Sequence, residues 1–206
     1  MTHRLLLAFL LLSTAAAAQQ RPFSHKLHLQ LKMECVACHS GVANSAVLSD
    51  NNLPSEKVCL TCHKQATIKQ PTVFRLSRFN HQLHLKMGNA APVIAAAIDA
   101  KTYLEPPGDI RRHLDTKNAC VACHRGLEES ESVSKAAFPR MADCLVCHNT
   151  IDLPFSCEKC HDNVQSLRPA SHGPNYIDVH STGKANLDKP SCAVCHGRKF
   201  TCMGCH

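Results

Sequence analysis

The chain has 206 residues, a formal net charge of +7, fourteen cysteines, fifteen histidines, seven phenylalanines, two tyrosines and no tryptophan. So few large aromatic side chains build only a thin conventional core at this length. The absence of any aromatic-plus-basic stacking platform excludes a nucleic-acid surface.

Residues 1–18 read as a secretory signal. Arg4 supplies the positive start, Leu5–Leu12 the apolar stretch, and Ala15–Ala18 small residues for cleavage before Gln19. The apolar stretch is too short to span a bilayer. No cysteine lies near the cleavage point and no other stretch has the length and apolarity of a membrane span. The mature chain is therefore expected to be exported and to carry no membrane anchor.

Every cysteine then falls into one of seven Cys-x-x-Cys-His motifs. They are Cys35, Cys38 and His39; Cys59, Cys62 and His63; Cys120, Cys123 and His124; Cys144, Cys147 and His148; Cys157, Cys160 and His161; Cys192, Cys195 and His196; and Cys202, Cys205 and His206. This spacing marks covalent c-type haem attachment. Two thiols add across the two vinyl groups of one haem, and the adjoining histidine reaches the iron. Structural zinc would need paired C-x-x-C halves, which seven copies do not give, and has no use for a histidine after each. A disulfide framework needs neither the fixed gap nor the histidine. A thioredoxin-like site needs one such pair in a βαβ setting. Seven covalently attached haems are the cofactor expected.

The motifs lie in a repeat. Glu34–His63 and Ala119–His148 each hold two motifs at the same spacing, with Gly41 and Gly126 three residues after the second cysteine. Upstream stand matching segments, Phe23-Ser24-His25-Lys26-Leu27-His28 and Phe79-Asn80-His81-Gln82-Leu83-His84. In the second copy, residues 85–119 intervene as an insertion. Within it Pro92–Leu104 is predicted to form a helix with Pro92 in its first turn, ended by Glu105-Pro106-Pro107-Gly108-Asp109. The chain divides into a dihaem segment over 19–75, a trihaem segment over 76–165, and a C-terminal dihaem segment over 166–206.

Histidines outside the motifs complete the count. After His3 leaves with the signal, His25, His28, His81, His84, His113, His172 and His180 remain, seven for seven irons. They are distributed two, three and two over the segments. We expect them to be distal iron ligands, which makes every haem bis-histidine ligated, low in potential and closed to substrate. At i, i+3 on a helix, His25 and His28 share a face yet diverge enough to serve two haems, as do His81 and His84. The methionines are read as packing.

The haems also supply the missing core. The expected fold is mostly irregular with short α-helices at the attachment motifs, little β-strand, and stacked haems in the centre. Lysines and arginines are read as partners for haem propionates.

At the F-x-H-x-x-H pairs followed by C-x-x-C-H motifs, the chain resembles class III multihaem cytochromes c. These are small periplasmic trihaem and tetrahaem electron carriers of anaerobic and metal-reducing bacteria. Phe23–His28 and Phe79–His84 match that family's distal-ligand motif, and the C-x-x-C-H sets match its attachment sites. The segment from Ser171-His172-Gly173-Pro174 through His180 is similar to the tail modules of larger multihaem cytochromes. The resemblance implies electron transport in anaerobic respiration.

The function expected is that of a periplasmic or secreted heptahaem electron carrier, not an enzyme. Its partners would be redox proteins: a membrane quinol-linked or hydrogenase-type donor, and a terminal reductase or extracellular acceptor. Two alternatives differ in class. A nitrite, hydroxylamine or sulfur-compound reductase would need one haem with an open position, with His113 or His180 not ligating. A haem-wire subunit would work only inside a larger redox complex.

Overall fold

The computed structural model describes residues 23–50, 52–66, 76, 78–132, 134–148, 157–169, 172–176, 178 and 189–196. The signal sequence at 1–18, His180, and the last motif with Cys202, Cys205 and His206 lie outside them. The described chain is irregular, with short helices and 3-10 turns, and none of it is strand. Helices are α1 (His25–Gln30), α2 (Cys35–Cys38), α3 (Glu56–Cys59), α4 (His81–Met87), α5 (Ala91–Asp99), α6 (Met141–Leu145) and α7 (Lys189–His196).

Local chemistry sets their ends. Ser24 caps α1, its Oγ accepting from Leu27 N at 3.3 Å, and Asn80 caps α4, its Oδ1 accepting from Leu83 N at 2.7 Å. Gly88, at φ +97°, ends α4 in a conformation that side chains avoid. Attachment motifs share one closure. The histidine N–H donates to the first cysteine's carbonyl at 2.9 Å in His39, His63, His148 and His161, and at 2.8 Å in His124. One helical turn thus puts each of these five histidines beside its own cysteine pair.

The repeated segments dock on each other reciprocally. Helix α1, from the first copy, packs on the 3-10 turn Leu127–Glu129 of the second, and α4, from the second, packs on the turn Val42–Asn44 of the first. Equivalent backbone bonds fix both contacts: Lys26 N donates to Ser130 O at 3.1 Å, and Gln82 N to Ser45 O at 2.9 Å. Near the centre, Asn118 Nδ2 donates to Cys35 Sγ at 3.7 Å, just where Cys35 meets its own counterpart Cys120. Exchanged contacts with equivalent residues meeting in the middle are the pattern of an isologous, two-fold interface, here inside one chain.

The insertion at 85–119 is the core rather than an appendage. The buried apolar cluster is Ala91, Ile94, Ala95, Tyr103, Ile110, Leu114, Ala122 and Ala142, mostly from that stretch, and Cys123, Val146 and Val194 pack on it. Helix α5 begins as expected with Pro92 in its first turn but ends at Asp99, short of Leu104. Thr102 N and Tyr103 N both return to Ala97 O, and Lys101 takes φ +56°. That turn sends Tyr103 inward, where its hydroxyl donates to Asp143 at 2.9 Å.

Candidate haem-binding site

The structure brings motif histidines and free histidines together in pairs. Ring centroids are 6.4 Å apart for His25 and His39, 6.0 Å for His28 and His63, 6.2 Å for His84 and His148, and 6.2 Å for His172 and His196. Two imidazoles bonded to one metal ion at about 2.0 Å each, on opposite sides, have centroids slightly more than about 6 Å apart. Four pairs therefore fit one iron between each two rings. The rings of His25/His39 and His172/His196 lie near parallel, at 14° and 6°, while those of His28/His63 and His84/His148 are rotated by 50° and 43°.

His81 lies in the neighbourhood of His124. Burial lowers the His81 pKa, and nearby His124 lowers it further. Burial likewise lowers that of His25, followed by His39, His28 and His124, so the first motif of each repeat sits close to the shared centre. His113 is held differently, its Nδ1 donating to a carboxylate oxygen of Glu128 at 2.9 Å.

Backbone carbonyls orient many of these rings. His39 Nδ1 faces Asn52 O at 2.7 Å, and His124 Nδ1 faces Ala137 O at 3.0 Å, each carbonyl thirteen residues downstream. His28 Nδ1 faces Ser24 O at 2.8 Å, and His84 Nδ1 faces Asn80 O at 2.7 Å, each four residues upstream. A carbonyl only accepts, so Nδ1 carries the proton in all four and the Nε2 lone pair is left for a metal. In His25 and His81 the Nδ1 atoms are buried with no hydrogen-bond partner among the described residues, alike in both copies.

Phenylalanines set the divergence inside each pair. Phe23 stacks on His28 at 4.7 Å and meets His25 edge-on at 4.8 Å; Phe79 does the same to His84 at 4.4 Å and His81 at 4.7 Å. One ring thus holds two imidazoles at near right angles to each other, aimed at two different motif histidines. Tyr176 stacks on His172 at 4.5 Å. Its role has no signal in the sequence, whereas the shared thirteen-residue offset to the orienting carbonyls is visible once the repeat is aligned.

Five of the described cysteines are held away from the thiolate form. Burial raises the thiol pKa values of Cys38, Cys120, Cys123 and Cys195, and pushes Cys144 up to about 11. Thiols kept protonated are poor nucleophiles and poor zinc ligands. Among the described residues, no three His, Cys, Asp or Glu side chains converge so as to hold a bare metal ion. Paired imidazoles beside paired thiols instead fit haem.

Buried charge lies between the third and fourth motifs. Arg125, next to His124, donates to Asp143, next to Cys144, and to Ala122 O at 2.6 Å. Their side chains are 5% and 2% exposed. Neither residue stands out in the sequence, where each reads as an ordinary surface charge.

A model of the family described as outer membrane cytochrome MtrC/MtrF-like, domains II/IV, matches residues 28–206. No curated protein and no solved structure matches the chain.

Proposed function

Because the chain belongs to the family of MtrC/MtrF-like outer membrane cytochrome domains II/IV, a match that spans 28–206, we propose that it is a heptahaem electron carrier working outside the cytoplasmic membrane. The coarse statement, a multihaem cytochrome of electron transfer, comes with the family. The finer reading adds seven haems, bis-histidine ligation at each, and exchange with redox protein partners. The family's description supports the outer-membrane side, and the expected signal sequence supports export. Among the described residues, no helix is long and apolar enough to cross a membrane.

The observation that carries this reading is the set of four imidazole pairs at 6.0–6.4 Å, each joining a motif histidine to one outside the motifs. When bound, each haem supplies one iron that cycles between ferric and ferrous. The chain's residues do the rest. Paired cysteines bind the macrocycle, and the motif histidines and His25, His28, His81, His84 and His172 hold the irons. We assign His113 and His180 to the two remaining irons. Backbone carbonyls at Ser24, Asn52, Asn80 and Ala137 orient the rings and raise their basicity. With two imidazoles on each iron, substrate is kept away and potentials are kept low.

A potentiometric titration of the holoprotein checks this. We expect a broad, low-potential transition that resolves into seven one-electron steps. A single high-potential step, or a protein mass showing fewer than seven attached haems, would overturn it.

A further inference from the structure

The two copies of the repeat differ at one turn. Gly41-Val42-Ala43-Asn44 in the first corresponds to Gly126-Leu127-Glu128-Glu129 in the second, each glycine opening a 3-10 turn. Both turns serve the reciprocal docking in the same way, α4 packing on Val42–Asn44 and α1 on Leu127–Glu129. That docking needs no carboxylate, since Ala43 and Asn44 serve it in the first copy. Glu128 and Glu129 reach instead to the 3-10 turn Ile110–His113, which belongs to the insertion and has no counterpart in the first copy. Arg112 grips Glu129 with two parallel bonds, Nη1 to Oε1 at 2.9 Å and Nη2 to Oε2 at 2.8 Å. Beside it, His113 Nδ1 donates to Glu128 Oε1 at 2.9 Å. Buried Ile110 and Leu114 hold the His113 turn from the core side. The histidine and the carboxylate that meets it are thus both additions to the second copy.

The His113 side chain is 8% exposed and that of Glu128 50%. A pair so open to water adds little to stability. Its effect on the ring is the larger one. A carboxylate oxygen only accepts, so Nδ1 carries the proton and the Nε2 lone pair is left for a metal, the tautomer that His28, His39, His84 and His124 share. Those four rings face neutral backbone carbonyls. A charged acceptor draws the Nδ1 proton harder and leaves more electron density on Nε2. A more electron-rich imidazole favours ferric over ferrous iron, because the oxidised ion carries the extra positive charge. The Arg112 grip on Glu129 keeps the turn, and with it Glu128, in register with His113.

We propose that Glu128 is a positioning residue for the iron assigned to His113: its carboxylate fixes the ring, makes it the stronger donor, and holds that haem at a lower potential than a neutral acceptor would. This rests on the haem-carrier reading above, in which His113 is a distal ligand. The haem at the insertion is thereby set apart from those whose rings face carbonyls, and electrons placed on it are passed on to its neighbours.

Three variants of the holoprotein test it, with haem methyl resonances followed by NMR through partial reduction at one pH and ionic strength. His113→Met marks the haem, because a thioether in place of an imidazole raises its potential. Glu128→Gln keeps an acceptor oxygen of the same reach without the charge. It is expected to shift the ferric–ferrous equilibrium of that same haem about ten-fold towards ferrous, about 59 mV for a one-electron couple, and to move one low-spin signal in the ferric electron paramagnetic resonance spectrum. Glu129→Gln removes the same charge one residue away and leaves the Nδ1 bond in place, so every haem should stay within about two-fold of wild type. Equal shifts in the Glu128 and Glu129 variants would overturn the proposal, since charge alone would then account for them. So would a marked haem that stays within about two-fold in Glu128→Gln. If His113→Met raises no haem, His113 is not a ligand and the proposal falls with that assignment. A wild-type protein without low-potential c-type haems would instead sink the carrier reading itself.

Discussion

Replacing Asp143 by alanine is expected to cost the holoprotein about 3–5 kcal/mol, the cost of leaving a buried charge without its partner. Asp143 accepts from three directions: Tyr103 Oη at 2.9 Å, Arg140 N at 2.7 Å, and Arg125 Nη2. Without the carboxylate, the Arg125 guanidinium stays buried with Ala122 O as its remaining acceptor among the described residues. For a chain of this size that corresponds to a fall in Tm of roughly 6–20 °C, read by calorimetry on the loaded protein. Asp143→Leu combined with Arg125→Met removes both charges and should recover much of the loss. A single alanine variant within about 1 kcal/mol of wild type would contradict the assignment of this pair as the polar anchor of the core. The same network gives a pH dependence. Burial, and then Asp143, raise the Tyr103 pKa above its usual value. The folded state therefore holds that proton more tightly than the unfolded chain does. Its contribution is full below about pH 10 and is lost as pH rises further. Tyr103→Phe should flatten the alkaline limb of a Tm–pH profile.

Withholding haem is expected to have the larger effect. The chain with its motif cysteines replaced by serine should lose its cooperative thermal transition, much of its helical circular dichroism and its resistance to protease. The apolar side chains buried in the described structure are few and small: Ala91, Ile94, Ala95, Tyr103, Ile110, Leu114, Ala122, Ala142 and Leu145. Such a set cannot offset the ordering entropy of so long a chain. Most helices besides α5 are too short to persist alone. Each attachment ties two cysteines and one or two histidines to one rigid body, so attachment and folding should be a single event, as at structural metal sites. Retention of a sharp transition in the haem-free chain would show that the polypeptide has a sufficient core of its own.

The parts of this protein visible in its sequence are those that chemistry fixes by spacing. Cys-x-x-Cys-His needs a single helical turn, so its local structure follows from the motif. The repeat and its F-x-H-x-x-H segments are visible for the same reason. Pairing is not, because His28 reaches His63 and His84 reaches His148 through a fold that the spacing does not encode. Nor does the sequence show that 85–119 is the core. In its helix α5 the buried positions are two alanines and one isoleucine, Ala91, Ala95 and Ile94, a pattern too weak to distinguish an inner helix from a surface one. The inward turn of Tyr103 depends on Lys101 adopting a left-handed backbone, which the residue type does not signal. Asp143 and Arg125 look like surface charges until the chain is folded, since burial is a property of the packing around them.

The most direct measurement is the optical spectrum of the fully reduced holoprotein before and after carbon monoxide. With every iron clamped between two imidazoles, the Soret band should not change. A change amounting to about one haem in seven would mean that one iron has an open or easily displaced ligand, which would contradict bis-histidine ligation throughout the chain.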